Sequence, residues 1–316
     1  MKRLIGFLLV ILVICIGIAL LPKEVFNKPP VTTEPTVPST TQTPTTQSPT
    51  TAPDPTTAPT EAPTEVPTEP PKIVGWYEAD GKTYYYTEEG EKVTGWQTLE
   101  EKVRYFDEDG VMVTGGREID GVMCFFGVDG EQLALVNPWN YVPEWYVANP
   151  VYINSWQKVD SRCYDALMEM LAACEAAGHT YAIRSAFRTN GDQKWLFENK
   201  IQRLMDEGYD REEATVLAAT VIAVPGTSEH ELGLAVDLVD AEYTNLDEAQ
   251  ENTDTQKWLM ENSWRYGFIL RYPNDKSEIT GIIYEPWHYR YVGKETAKAI
   301  YESGLCMEEF FGSKRG

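Results

Sequence analysis

The sequence predicts an α+β protein in which β-hairpin repeats precede a domain of mixed helices and strands. The first observation is a pattern of 20 residues that recurs before residue 137. The other two are a helical i, i+3, i+4 apolar pattern over 160–177 and a period-2 apolar alternation around Asp237. We expect four segments, bounded at 1–28, 29–72, 73–136 and 137–316.

Composition argues against some classes of partner. The formal net charge of -22 disfavours binding to nucleic acid or to anionic lipid, because both attract basic surfaces. The five cysteines show no C-x-x-C spacing. The sequence therefore predicts neither a disulfide framework nor a thiolate zinc site.

The N-terminal segment, residues 1–28, contains an uncharged apolar run from Leu4 to Leu21. As a helix this run would be about 27 Å long, close to the thickness of the bilayer's hydrocarbon core. This length favours a membrane anchor; a cleaved signal peptide, and hence a secreted protein, is the alternative. Lys2 and Arg3 precede the run, which favours a cytoplasmic N-terminus with the remainder outside the cell.

Residues 29–72 form a Thr/Pro-rich segment with almost no apolar side chains to bury. Such a chain favours extended polyproline II and could act as a spacer of up to roughly 130 Å. A ligand for another protein is the alternative interpretation.

Residues 73–136 carry the repeat. Tryptophans, glycines and aromatic pairs recur at steps of 20: Trp76 and Trp96; Gly90, Gly110 and Gly130; Tyr85-Tyr86, Tyr105-Phe106 and Phe125-Phe126. The pattern within each unit predicts a short β-hairpin, with turns such as Asp80-Gly81. The segment resembles choline- or glucan-binding cell-wall repeats, which implies that rings around Trp76 and Trp96 bind choline or glycan. Gly116 replaces the third tryptophan, and a rigid spacer that binds nothing is the alternative.

Residues 137–316 alternate between helical and strand patterns. Helices are predicted at Asp160–Ala177, Asp192–Glu207, Arg211–Ala223, Thr255–Tyr266 and Lys294–Ser303. Strands are predicted at Tyr181–Ser185, around Asp237, at Phe268–Tyr272 and at Tyr284–Tyr291. In the last strand Glu285 and His288 would face opposite sides unless the backbone bends near Pro286, and a residue without an N–H donor suits a β-bulge or an edge there.

Two short segments carry the candidate chemistry: residues 228–237, and Glu285-Pro286-Trp287-His288. They contain two of the chain's three histidines; the third, His179, follows Gly178 at a predicted helix end. His230, Asp237 and His288 predict a catalytic zinc site, because such sites hold the ion with three protein ligands and leave one position open. Glu285 is the candidate base for a water molecule activated there.

The motif Ser-x-His-x-x-Gly-x-Ala-x-Asp followed by Glu-x-Trp-His resembles the VanY-type zinc D-alanyl-D-alanine carboxypeptidases, a group related to lysostaphin-like endopeptidases and hedgehog domains. Ser185-Ala186-Phe187-Arg188 and Tyr266-Gly267-Phe268 extend the likeness. It implies a small antiparallel sheet flanked by helices, a Zn²⁺ cofactor, and removal of the terminal D-alanine from peptidoglycan stem peptides. Where relatives commonly carry Gly-Tyr, this chain has Ala186-Phe187.

The resemblance also assigns roles to single residues. His230, Asp237 and His288 would be ligands, Glu285 the base, and Arg188, Gln193, Ser228 and Trp287 substrate contacts. Arg188 suits a substrate carboxylate or an oxyanion, because a guanidinium offers paired planar donors and keeps its charge. The alternatives are an L,D-carboxypeptidase, a peptidoglycan endopeptidase, or an inactive wall-binding adaptor; the presence of Glu285 counts against the last.

Overall fold

A computed structural model describes residues 72–313. The predicted membrane anchor, and the Thr/Pro-rich segment apart from Lys72, lie outside the described residues. Across 72–313 no helix combines the length and the apolar character that a membrane crossing requires.

The repeat segment forms three consecutive β-hairpins, which confirms the predicted period. The strands are β1 (Gly75–Ala79), β2 (Lys82–Tyr86), β3 (Gly95–Leu99), β4 (Lys102–Phe106), β5 (Gly115–Ile119), β6 (Val122–Phe126) and β7 (Gln132–Leu133). In the first hairpin Asp80 and Gly81 both have positive φ, at 52° and 70°. This is the two-residue turn that matches the twist of paired strands.

Each of the first two hairpins packs its tryptophan against the following unit. The ring centroid of Trp76 lies 5.1 Å from that of Tyr85 in its own unit and 6.2 Å from that of Phe106 in the next. Trp96 packs in the same way against Phe126, with 5.8 Å between centroids. A single hairpin therefore does not complete its own aromatic cluster, as expected of a repeat architecture.

The C-terminal domain is built on a four-stranded antiparallel sheet with the order β10-β11-β13-β12. Its strands are β10 (Tyr181–Ser185), β11 (Ala235–Asp240), β12 (Phe268–Leu270) and β13 (His288–Tyr291); a separate hairpin pairs β8 (Pro150–Tyr152) with β9 (Lys158–Asp160). The predicted α+β class with an antiparallel sheet is confirmed.

Seven α-helices lie in the described part of this domain. They are α1 (Ser161–Ala176), α2 (Asn190–Asp206), α3 (Arg211–Ala219), α4 (Asp254–Asn262), α5 (Ser277–Thr280), α6 (Lys294–Ser303) and α7 (Met307–Phe311). Short 3₁₀ helices cover Glu229–Leu232, Glu248–Asn252 and Ser263–Tyr266. Leu167 and Met170 of α1 are buried with Val236 and Leu238 of β11 in the main core, so one face of β11 belongs to the core.

Several boundaries differ from the prediction: the helix expected over Thr255–Tyr266 becomes a 3₁₀ helix after Asn262, and the strand expected over Phe268–Tyr272 ends at Leu270. The helix expected over Arg211–Ala223 ends at Ala219, although Val221 and Ile222 continue the apolar pattern and pack against the cluster of α2 and α3. Apolar spacing does not separate a helix from a packed turn, and Val224 before Pro225 is biased away from helical backbone. The strand expected over Tyr284–Tyr291 begins only at His288.

Candidate active site

Three adjacent elements bring the predicted metal ligands together. The 3₁₀ helix Glu229–Leu232 carries His230 and ends at Gly233, whose φ is 71°. A Cβ on Gly233 would lie 2.9 Å from the Asp160 backbone nitrogen, so this close turn requires glycine. Asp237 of β11 pairs directly with His288 of β13. Cross-strand partners in an antiparallel pair share one face of the sheet, so their side chains meet.

The ligand atoms of His230, Asp237 and His288 all lie within 4.8 Å of one another. Nε2 of His230 is 3.2 Å from Oδ2 of Asp237, and Nδ1 of His288 is 3.0 Å from Oδ1. All three side chains are buried. The two histidines, 58 positions apart in sequence, are therefore close enough to share one ion.

The outer nitrogen of each imidazole is held by an oxygen acceptor. Nδ1 of His230 lies 2.8 Å from the Ala186 carbonyl oxygen, and Nε2 of His288 lies 3.3 Å from Oε2 of Glu229. Carbonyl and carboxylate oxygens only accept, so these two nitrogens carry the protons. The nitrogens that face Asp237 are then the ones available to a metal, an arrangement common around ligating histidines.

Asp237 provides the test of whether a cation fits. Apart from the charge contact with His288 Nδ1 at 3.0 Å, its buried Oδ1 has no hydrogen-bond partner in the described chain. Burial alone would raise the pKa of Asp237, but His230 and His288 lower it well below its ordinary value. Two imidazole nitrogens and a carboxylate oxygen are a common zinc donor set, so these residues fit a divalent cation.

The pKa values of the two histidines differ because their neighbours differ. Burial, together with the charge of Arg188, lowers the pKa of His230 to about 4. Burial would also lower the pKa of His288, but Asp237 and Glu229 raise it to about 9. In the metal-free protein a proton on His288 thus offsets neighbouring carboxylates, and a bound cation would displace it.

Glu285 reaches the same cluster from a turn. The His288 N–H donates to the Glu285 carbonyl at 3.1 Å, which closes a β-turn around Pro286 and Trp287. Glu285 Oε2 consequently lies 3.7 Å from His288 Nδ1. The expected bend is therefore a turn before β13 and not a bulge within a strand. Burial, with a contribution from Asp237, raises the pKa of Glu285 to about 8.

Arg188 lies beside the cluster in the loop after β10. Its N–H donates to the His230 carbonyl at 3.1 Å, and its Nη2 donates to Ser228 Oγ at 3.4 Å. Its Nε is buried and has no hydrogen-bond partner among the described residues. Burial lowers the pKa of Arg188, while Asp237 and Glu285 oppose that shift. The site thus contains a cation with one unused donor, in the electrostatic field of two carboxylates.

The two other predicted substrate contacts are mainly enclosed in protein. The Gln193 side chain is fully buried and its Nε2 donates to the Ala223 carbonyl at 2.6 Å; its Oε1 has no partner in the described chain. The Trp287 side chain is buried, and its carbonyl accepts from the Leu238 N–H at 2.9 Å. The Trp287 carbonyl therefore holds the turn that carries Glu285 against β11. The amide nitrogen of Gln193 is already used by the protein, in its bond to Ala223.

Glu229 is a functional candidate to which no sequence motif assigns a role. Its Oε1 accepts from Arg271 Nε at 2.7 Å and from Arg290 Nη1 at 2.8 Å, while its Oε2 faces His288. Burial would raise the pKa of Glu229, but the two arginines lower it well below its ordinary value. Arginines between apolar residues of strands, as in Leu270-Arg271-Tyr272, could have indicated a buried ion pair.

Comparison with known families gives two matches. The VanY family, described as D-alanyl-D-alanine carboxypeptidase, matches residues 156–294. The choline-binding repeat family matches residues 73–114 and 93–139.

Three individual proteins extend this comparison. A D-alanyl-D-alanine carboxypeptidase of Enterococcus faecalis is 41% identical over 184 residues, which cover 58% of this chain and 66% of that protein, just under two thirds. The LdcB LD-carboxypeptidase structure is 32% identical with a TM-score of 0.51, over 64% of this chain and 95% of that one. A mutant of the vancomycin resistance D,D-pentapeptidase VanY, solved with Zn(II), is 42% identical with a TM-score of 0.51, over 56% of this chain and 96% of that one. With nearly all of that VanY chain covered at this identity, the present chain belongs to the VanY D-alanyl-D-alanine carboxypeptidase family.

Proposed function

We propose that this protein is a zinc-dependent carboxypeptidase that removes the C-terminal D-alanine from peptidoglycan stem peptides. The observation that carries the proposal is the buried cluster of His230, Asp237 and His288, with Glu285 only 3.7 Å from one of its nitrogens. The activity named for the Enterococcus faecalis relative, and the Zn(II) bound by the crystallised VanY, support it.

Each residue of the site has a separate role in the proposed peptide hydrolysis. Zinc, when bound, would polarise the scissile carbonyl and lower the pKa of water. Glu285, 3.7 Å from His288 Nδ1, is positioned to take the proton of the attacking water and to deliver it to the leaving amine. Arg188 is positioned to hold negative charge on the substrate carboxylate or on the developing oxyanion.

Mass spectrometry of stem peptides tests this function. We expect the zinc-loaded full-length protein to convert a pentapeptide ending in D-Ala-D-Ala into the tetrapeptide. A chelator should abolish the conversion and added zinc should restore it, because the ion held by His230, Asp237 and His288 would supply the polarised carbonyl and the activated water. An intact pentapeptide after incubation with zinc-loaded protein would refute the proposal.

An L,D-carboxypeptidase is the second candidate, favoured by the similarity to LdcB. The same assay separates the two, because only that enzyme would shorten a tetrapeptide with a single terminal D-alanine. A cross-linked peptide dimer tests the remaining alternative of an endopeptidase. An inactive adaptor would leave all three substrates unchanged.

We further propose that the repeats bind choline or a wall glycan, chiefly at Trp96. The guanidinium of Arg104 lies 4.9 Å from the Trp76 ring centroid and is buried, with bonds to the Leu99 and Asp129 carbonyls, so a protein cation already occupies one face of Trp76, which is 37% exposed. Trp96 is 42% exposed. We expect Trp96→Ala to weaken binding of choline or glucan, measured by fluorescence titration, by at least about fivefold. Unchanged titrations, or a parent protein that binds neither, would favour a spacer.

We also propose that the protein is held at the cell surface by residues 1–28, with its domains facing the wall. The support is the apolar run Leu4 to Leu21 and the basic residues before it. We expect the full-length protein in the membrane fraction and its C-terminal domain to be accessible to external protease. Recovery of a shortened protein from the medium would instead indicate a cleaved signal peptide.

A further inference from the structure

The third hairpin packs against the C-terminal helix α7. Gly116 of β5 stands twenty residues after Trp96, and a Cβ there would lie 2.4 Å from the Phe311 carbonyl oxygen. Phe125, the counterpart of Tyr105, has its ring centroid 6.0 Å from that of Phe311. Phe311 itself is buried. The helix therefore occupies the space beside this hairpin that tryptophan fills in the first two units.

The same short helix carries a buried carboxylate. Glu308 is fully buried, one residue beyond the first position of α7. Its two oxygens accept from Arg271, Oε2 from Nη1 at 2.9 Å and Oε1 from Nη2 at 2.6 Å. Oε1 also accepts from the Asn137 side chain at 3.0 Å. This bidentate ion pair fixes the plane of the Arg271 guanidinium.

Arg271 connects Glu308 to the metal site through Glu229. Its Nε donates to Glu229 Oε1 at 2.7 Å, and the other oxygen of Glu229 faces Nε2 of His288. Glu308 is thus three contacts away from a candidate ligand, through groups that are almost completely buried. In such surroundings charges interact strongly, because little water screens them.

We propose that Glu308 is a positioning residue for the metal site, and that the docking of α7 on the third hairpin holds Glu308 in place. Without its charge, Arg271 would be balanced only by Glu229, which is already shared with Arg290. Glu229 would then be a poorer acceptor for His288, whose ring would be less fixed and less basic toward a cation. This inference rests on the proposed function only insofar as the site binds zinc.

Glu308→Gln in the full-length protein tests the electrostatic part. We expect the zinc dissociation constant, measured by competition with a chromophoric chelator, to rise about tenfold. The visible absorption of the Co²⁺-loaded protein should also change, since it reports the geometry of the ligands. Glu309→Gln is the matched control: this residue of the same helix pairs with Lys276 and accepts from the Cys306 N–H, a cap that glutamine preserves. We expect it to leave both readouts unchanged.

Gly116→Ala tests the docking part with every charge retained. The added methyl group would clash with the Phe311 carbonyl and displace α7, so we expect zinc affinity to fall about threefold to tenfold. Glu118→Ala, on an exposed position of the same strand, is its control. Should E308Q fail to fold, zinc affinity in this variant still tests whether the position of α7, and with it of Glu308, affects the metal site.

Parent-like zinc affinity in folded E308Q would overturn the positioning role, and parent-like affinity in G116A would overturn the role of docking. Both measurements use zinc or Co²⁺ without peptide. Weaker metal binding in these variants would therefore support the inference even if the parent protein cleaved no stem peptide, which would count against the proposed function alone.

Discussion

Glu285→Gln is expected to lower kcat for the pentapeptide by about 10²–10⁴-fold while the protein keeps its zinc. Glutamine preserves the size of the side chain but cannot accept the proton of the attacking water. The substitution should not destabilise the metal-free fold, because burial disfavours the charge that glutamine removes. Steady-state kinetics and metal analysis of the same sample measure the two effects together.

Glu251→Gln is a suitable control for this experiment. Glu251 accepts a hydrogen bond from the hydroxyl of Tyr284, the residue before Glu285, and the glutamine carbonyl can accept the same bond. Parent-like turnover is expected. If Glu285→Gln lost zinc together with activity, Glu285 would be a ligand and not the base; if it kept both, the base would lie elsewhere.

The sequence located the three candidate ligands because each lies in a short local pattern. The alternation around Asp237 correctly predicted a strand with one face in the core, and the motif spacing placed His230 just before it. The bend before His288 was also expected, since Glu285 and His288 could not otherwise face one site. The form of the bend was predicted wrongly, as a bulge and not as a turn. A proline fits a turn before a strand as well as a bulge within it, so the residue type alone does not separate the two.

The network around Glu229 could not be predicted in this way. Glu229 meets Arg271 and Arg290 across separations of 42 and 61 residues, and Arg271 meets Glu308 across 37. No periodicity specifies which buried charges pair, since pairing depends on the register of β12 and β13 and on where α7 docks. The sequence shows Gly116 in place of the third tryptophan, but the contact that requires a residue without a side chain there is with Phe311, nearly 200 residues away.

Arg188→Ala is expected to lower kcat/KM by about 10²–10³-fold, the usual cost of losing a donor to developing negative charge. The structure leaves its Nε without a partner in the described chain, and its one side-chain hydrogen bond, to Ser228, is long at 3.4 Å. One donor of Arg188 is therefore unused by the described chain and a second makes only a long contact, so a substrate anion could take both. Arg188→Lys should recover only part of the loss, because an ammonium group cannot form the paired planar contact.

The kinetic constants that change identify the charge that Arg188 holds. If the partner is the substrate's terminal carboxylate, KM should rise, and the variant should lose its preference for free over amidated peptides. If the partner is the oxyanion, kcat should fall while KM stays near the parent value. Arg184→Ala is the matched control, an exposed arginine on β10 four residues before Arg188. Kinetics within about twofold of the parent for Arg188→Ala, with zinc retained, would remove Arg188 from the mechanism and leave the scissile group held by the metal cluster and Glu285 alone.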